Sequence, residues 1–359
     1  MKIDQFGKNE KGQLQPRTDT LLSIVVPVYN EEDTVGIFLK ELEPALAKSR
    51  KLMGETASTE IVFVDDGSTD RTIECIHAHQ ANDGVTRVVK LSRNFGKDAA
   101  LTAGLVQAKG NAVVPMDVDL QDPPDVLPNM VAAWMAGEKV VNAVRMDRGS
   151  DTWFKRQSAR IFYKLYNRMS AFPLQPNVGD YRLLDREVVD ILNGMPERIR
   201  FMKGLFSWLG FRPHNIEYQR QARSAGTTKW NFWSLWNFAI DGITASTTLP
   251  LRIWSYIGGI LAGIASLYAI FLFMRTLIDG VDVPGYSSLM VVLLSIGAVN
   301  MIALGIIGEY VGRIAIEVRQ RPLYIVEADP TQPIEKPGRA IDENLDAEDN
   351  NHPENIIAR

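Results

Sequence analysis

From residue 20 to residue 117 the chain alternates short β-branched runs with stretches whose apolar positions recur every three or four residues. "LLSIVVPVY", "EIVFVDD", "TRVVKLS" and "AVVPMD" have the length and residue types of buried strands. The stretches between them predict helices over about Asp33–Ala47, with Asp33 as N-cap, over about residues 71–81, and over about Asp98–Ala108. Strands joined by helices of this length imply a mostly parallel α/β sheet with right-handed crossovers. Ligands in such sheets bind beyond the carboxyl ends of the strands. Those ends read "PVYNEED", "VDDGSTD", "LSRNFGK" and "MDVDLQD", so the polar chemistry gathers on one edge.

The pattern changes toward the C-terminus. Ile253–Met274 and Val283–Gly308 contain no charged residue, and each is long enough to cross a bilayer core as a helix, which takes roughly 20 residues. Arg252 precedes the first run, Arg313, Arg319 and Arg321 follow the second, and the connector "RTLIDGVD" holds one Arg and two Asp. That bias predicts a multi-pass protein with the connector outside and both termini in the cytosol. A buried helical hairpin is the alternative, disfavoured because core helices run shorter. The acidic stretch "DENLDAEDNNHPEN" near the end is expected to be disordered.

Composition narrows the chemistry. A net charge of −4 gives no field for nucleic-acid binding, so no nucleic-acid partner is expected. Cys75 is the only cysteine and permits a reducing compartment. The first strand is followed by neither a G-x-G-x-x-G turn nor a phosphate-binding G-x-x-x-x-G-K-[ST] loop, and Glu31 and Glu32 stand where a phosphate would approach. "DVDLQD" instead places three aspartates within six positions at the end of an apolar run, where mutual repulsion calls for a cation or for water. Asp117, Asp119 and Gln121 alternate along an extended segment and would share one face. Mg²⁺ or Mn²⁺ suits them, because hard cations take one or two carboxylates and fill their shell with substrate phosphate oxygens. His77 and His79, two apart on a helix, face different ways and make no metal pair.

"VVPVYNEE", "VDDGSTD", "LSRNFGK", "MDVDLQDPP" and "GDYRLLDR", in this order and ahead of an apolar hairpin, resemble the family 2 glycosyltransferases of the polyprenyl-phosphate type, over about residues 20–325. That group includes dolichol-phosphate mannose synthases and bactoprenol glucosyltransferases. The resemblance implies a GT-A fold with a two-helix transmembrane hairpin, a nucleotide-sugar donor, a divalent metal, inversion at the anomeric carbon and a polyprenyl phosphate acceptor. It also implies a bacterial cytoplasmic (inner) membrane location and a homo-oligomer, tetrameric in related proteins. UDP-glucose is the first choice of donor, with GDP-mannose or another UDP-sugar as the alternative. By position, Pro27, Tyr29, Glu31 and Asp65 match the nucleoside cradle, with Asp66 supporting that loop. Asp117 matches the carboxylate near the ribose and donor phosphate, Asp119 and Gln121 match the metal ligands beside it, and Asp180 matches the presumed general base. Arg145 and Arg156 resemble the residues that hold the acceptor phosphate, with Arg182 a further candidate beside Asp180. Lys229 and Arg223 lie on a loop that closes over the donor in relatives. "DVD" has Val118 where many relatives carry a small residue, a harmless departure if Val118 points inward.

The domains expected are a polar tail (1–19), a catalytic domain (20–228), an interfacial segment (229–250), the hairpin (251–316) and a cytosolic tail (317–359). The interfacial reading rests on "KWNFWSLWNF", whose tryptophans favour the headgroup region. "FMKGLFSWLGF" is either a second such element or core packing. A processive polysaccharide synthase would need more spans and a Q-x-x-R-W stretch, and an inactive scaffold is disfavoured by the intact Asp117, Asp119 and Gln121.

Overall fold

A computed structural model describes residues 20–79, 85–146, 157, 163–164, 166–170, 172–198, 200–219, 249–279 and 285–327. Among the described residues seven strands form one sheet: β1 (Leu21–Val28), β2 (Ser58–Asp65), β3 (Val85–Lys90), β4 (Ala112–Pro115), β5 (Val140–Arg145), β6 (Val178–Asp185) and β7 (His214–Tyr218), in the spatial order β3-β2-β1-β4-β6-β5-β7. The β3, β2, β1 and β4 neighbours pair in parallel, as expected, and β5 pairs in parallel with β7. β6 runs antiparallel to both β4 and β5, so the sheet is mixed.

Both faces are covered, which is why the strands read as continuous apolar runs. Ile24 and Val26 point toward α1 (Val35–Met53) and α4 (Leu127–Met135), in a core holding Phe38, Leu42, Met130 and Trp134. Val25, Val62 and Val64 point the other way, toward α3 (Lys97–Gln107), α5 (Arg186–Asn193) and α6 (Met202–Trp208). α3 lies close on the sheet because residue 104 is glycine: a Cβ there would stand 2.2 Å from Val25 Cγ1. Asp185 caps α5 by accepting from Glu187 N (3.1 Å) while its other oxygen accepts from the buried Trp134 Nε1 (2.7 Å).

Several boundaries move. α1 starts at Val35 rather than Asp33 and runs on to Met53, since Leu39, Leu42, Leu46, Ser49 and Met53 keep one buried stripe through the polar "KSRKL". α2 is shorter than expected, Thr72–Ala78. "FMKGLFSWLGF" is core: Met202 is buried and Leu205, Phe206, Leu209 and Phe211 pack against the second cluster, leaving Trp208 exposed. The interfacial stretch 229–248 lies outside the described residues.

Two long helices follow, α7 (Leu249–Asp279) and α8 (Tyr286–Arg319), with exposed apolar side chains such as Ile264, Leu267, Phe271, Met301 and Leu304. α8 extends well past Gly308, carrying a Glu309–Arg313 pair one turn apart (2.8 Å). Among the described residues one stretch, Ser295–Arg319, is long and apolar enough to cross a membrane, with mean hydropathy 1.5. After α8 the chain returns to the sheet. Ser92 N donates to Ile325 O (2.9 Å), Glu327 N donates to Lys90 O (2.8 Å), and Leu91 and Val326 form an antiparallel bridge beyond the end of β3. Tyr324 packs against the second core cluster, and Arg198 N donates to both Glu317 carboxylate oxygens (2.9 and 3.1 Å). The segment 320–327, the start of the expected C-terminal tail, thus packs on the α/β body.

Candidate active site

The edge formed by the carboxyl ends of β1, β2, β3 and β4 is built from loops that hold one another. Asn30, with φ 54°, donates its backbone N–H to Ser68 Oγ (2.9 Å) and accepts from Thr69 N (2.8 Å) through Oδ1. Glu31 N donates to Thr72 Oγ1 (2.9 Å), and the Glu31 carboxylate accepts from Thr34 Oγ1 (2.7 Å). Pro27 is half-buried within β1, and Tyr29 is 37% exposed at its end. Asp65 is fully buried and accepts from Ser68 N (3.1 Å), which shapes the turn after β2. Asp66 holds the β3–α3 loop rather than its own turn, accepting from Phe95 N (2.7 Å) and Gly96 N (2.9 Å). Burial raises its carboxyl above the ordinary range despite those donors. Gly67 (φ 74°) has no room for a side chain, since a Cβ would meet Arg93 C at 2.6 Å.

In "DVDLQ" Val118 and Leu120 are buried and Asp117, Asp119 and Gln121 are half-exposed, but the segment is a turn after β4 rather than the extended stretch expected. Leu120 takes φ 55°, and Gln121 N donates to Asp119 Oδ1 (3.2 Å). Among the described residues no three His, Cys, Asp or Glu side chains form a metal cage. The half-exposed Asp119 carboxylate and Gln121 amide oxygen fit a hard cation that takes its remaining ligands from phosphate and water, while both oxygens of Asp117 are engaged by an ammonium. Asp122 is more than a turn former, because the Tyr218 hydroxyl donates to its carboxylate.

The centre of the edge is a cation that the sequence alone did not single out. Lys97, the first residue of α3, places Nζ 2.7 Å from Asp117 Oδ1, 2.8 Å from Asp117 Oδ2 and 3.1 Å from Asp180 Oδ2. Burial opposes its charge, but the two carboxylates outweigh burial and hold the ammonium above the ordinary lysine range. Burial likewise opposes the charge on Asp180, while Lys97, Lys203 and Arg182 overcome it and keep the carboxyl below its ordinary value. The neighbouring Asp98 goes the other way, pushed up to about 6 by burial and by Asp180. The signal for Lys97 was its place in "LSRNFGK", one of the four strand-end segments; its pairing with Asp180 depends on β6 lying against β4 and is invisible locally.

Arg182 is buried at 5% exposure, donates Nη2 to Gly179 O (2.6 Å) and lies 3.9 Å over the Phe206 ring. Burial lowers it to about 10. It lines a cavity of about 200 Å³ with Lys203, Asn142 and Tyr163. Arg145 is half-buried at the end of β5, its N–H donating to Asn177 O (3.1 Å). Arg156, Arg223 and Lys229 lie outside the described residues.

The family 2 glycosyl transferase pattern matches residues 23–192, and the GtrB C-terminal hairpin pattern matches residues 249–314. An uncharacterized glycosyltransferase of Synechocystis sp. is 48% identical, over 85% of this chain and 94% of that protein. The bactoprenol glucosyl transferase of Shigella phage SfII is 46% identical over 85% of this chain and 97% of its own length. A prophage bactoprenol glucosyl transferase homolog of Escherichia coli is 45% identical, over 85% and 98% respectively. A mycobacterial glucosyl-3-phosphoglycerate synthase structure overlaps 63% of the chain at 21% identity and a TM-score of 0.46, too loose to carry residue roles. With its GT-A-like sheet, its carboxylate-lined edge and its C-terminal hairpin, the chain belongs to glycosyl transferase family 2, among the glycosyltransferases that carry the GtrB hairpin.

Proposed function

We propose that this glycosyltransferase moves a hexosyl unit, glucose from UDP-glucose in the first instance, onto a polyprenyl phosphate at the cytosolic face of the bacterial cytoplasmic membrane. The observation that carries the reading is that a carboxylate-lined transfer edge and an apolar hairpin occur in one chain, in an arrangement shared over nearly the full length of proteins named bactoprenol glucosyl transferase. A lipid-borne phosphate must be met at a membrane surface, and the return of 320–327 to the sheet keeps the hairpin beside the catalytic body.

In the proposed reaction an acceptor phosphate oxygen attacks the anomeric carbon from the face opposite the nucleoside diphosphate, giving inversion. A phosphate monoester has a second pKa of about 6, so the nucleophile is already charged at pH 7 and needs no base. Asp180 suits that chemistry: a carboxyl held below its ordinary range is a poor proton acceptor, but it is a fixed anion that orients Lys97 and Lys203. Asp119 and Gln121, with Asp117 beside them, would hold Mg²⁺ or Mn²⁺, which when bound neutralises charge on the donor diphosphate. Asp65, Tyr29 and Pro27 shape the nucleoside side of the cleft, and Arg145 is the described cation proposed for the acceptor phosphate.

Detergent-solubilised protein incubated with undecaprenyl phosphate and a panel of labelled nucleotide sugars should transfer label from UDP-glucose to lipid. Asp119→Asn should reduce that transfer at least 100-fold while leaving thermal unfolding unchanged, since it removes one ligand charge from a half-open shell. Transfer from another donor alone would reassign the sugar. Full activity of Asp119→Asn in Mg²⁺ would remove the metal assignment.

A further inference from the structure

We propose that Lys97 is a catalytic residue of this transfer: its ammonium is the cation shared by the departing diphosphate of the donor and the incoming phosphate of the acceptor. The proposal rests on the polyprenyl phosphate reading above. Lys97 Nζ bridges two carboxylates on different strands, Asp117 following β4 and Asp180 on β6. Asp117 belongs to the segment proposed to face the donor, and Asp180 lies within the field of Lys203 and Arg182. In the substrate-free protein the two carboxylates stand where two anions would converge.

The reaction brings two anions to one carbon. At about 4 Å two unit charges repel by roughly 4 kcal/mol at an effective dielectric of 20, and the acceptor and diphosphate carry more than one charge each. A cation between them offsets that repulsion most when it is fixed before the substrates arrive. Lys97 meets this condition. Asp66 clamps the N–H groups of Phe95 and Gly96 immediately before it, Gly67 abuts Arg93 and Asn94, and Ile325 holds Ser92. Its side chain is 46% exposed, so substrate oxygens can reach an ammonium that has three donors to distribute. In the step itself an acceptor oxygen supplies the electron pair for the new bond to the anomeric carbon. The bond from that carbon to the diphosphate oxygen breaks with its pair going to the diphosphate, and Lys97 stays protonated throughout.

A purely structural Lys97 would balance the charge of Asp180 and no more, and variants separate the two roles. With the full-length protein, UDP-glucose and undecaprenyl phosphate, Lys97→Met should lower kcat by 100- to 1,000-fold while UDP affinity, measured by calorimetry, changes less than tenfold. Lys97→Arg should keep at least tenfold more activity than Lys97→Met. The double variant Lys97→Met with Asp180→Asn should be no more active than Lys97→Met alone. A kcat within about fivefold of the unsubstituted protein in Lys97→Met overturns the proposal, as does recovery of activity in the double variant, which would make Lys97 a counter-ion only. If Lys97→Met fails to fold, Lys97→Gln is read by the same criteria. No transfer to the lipid by the unsubstituted protein from any nucleotide sugar overturns the reading and the proposal together, whereas an active unsubstituted protein with an active Lys97→Met overturns the proposal alone.

Discussion

Lys97, Asp98 and Asp180 share one site, and the two acids respond to it oppositely. Asp180 touches the ammonium and is held ionised, whereas Asp98 is pushed up to about 6 by burial and by the charge of Asp180. A carboxyl raised in the folded state favours folding below its unfolded value near 4, and that contribution is lost as pH rises through 6. At pH 7.5 ionised Asp98 therefore costs on the order of 1–2 kcal/mol after discounting for partial exposure. Asp98→Asn should raise the unfolding temperature by about 3 °C at pH 7.5 and leave it unchanged at pH 4, read by thermal denaturation across that range. An equal gain at both values would show that the carboxyl is not strained. Little of this balance is legible in "GKDAA", which shows the opposing Lys97 but neither the burial that raises Asp98 most nor the charge of Asp180, far along the chain.

At the scale of elements, β1–β4 and their polar ends could be read from the sequence, whereas β5, β6, β7 and the helix limits were not. The buried faces of β1 and β2 were plain from unbroken β-branched runs, whereas the burial of Val118 and Leu120 beneath Asp117 and Asp119 is set by a turn, with Leu120 at φ 55°, that strand periodicity does not describe. α1 outran its expected end because its stripe continues beneath a polar surface, and β6 reversed direction although its own residues carry no mark of strand orientation. The fit of α3 on the sheet depends on Gly104. Gly104→Ala should destabilise the protein by about 1–3 kcal/mol, because the added methyl meets Val25 in a filled core. Denaturant unfolding should show Val25→Ala recovering part of that loss in the double variant, whereas additive losses would mean that the methyl is accommodated elsewhere.

At the scale of the whole molecule, the chain that follows the hairpin returns to the catalytic body, with 320–327 lying beyond the end of β3. A chain ending at Arg319 keeps both long helices but loses the Leu91–Val326 bridge, the Ser92 and Glu327 hydrogen bonds and the Tyr324 packing. Its lipid transfer rate should fall at least tenfold although it still partitions into membranes and binds UDP. Undiminished transfer would make the returning segment a passive edge cover. The apolar runs announced the hairpin, but not this return. "PLYIVE" is a short strand-like stretch with no partner nearby in the chain, and its partner, the end of β3, lies in the first third of the molecule.

That return has a consequence in time. A chain made from its N-terminus exposes "LSRNFGK" early, yet Leu91 and Ser92 must wait for Ile325 and Val326, which follow both long helices. The loop carrying Lys97 is therefore completed only after the hairpin has been synthesised. Nascent chains stalled before that point carry an unfinished centre, and the enzyme's competence becomes a record of its own assembly.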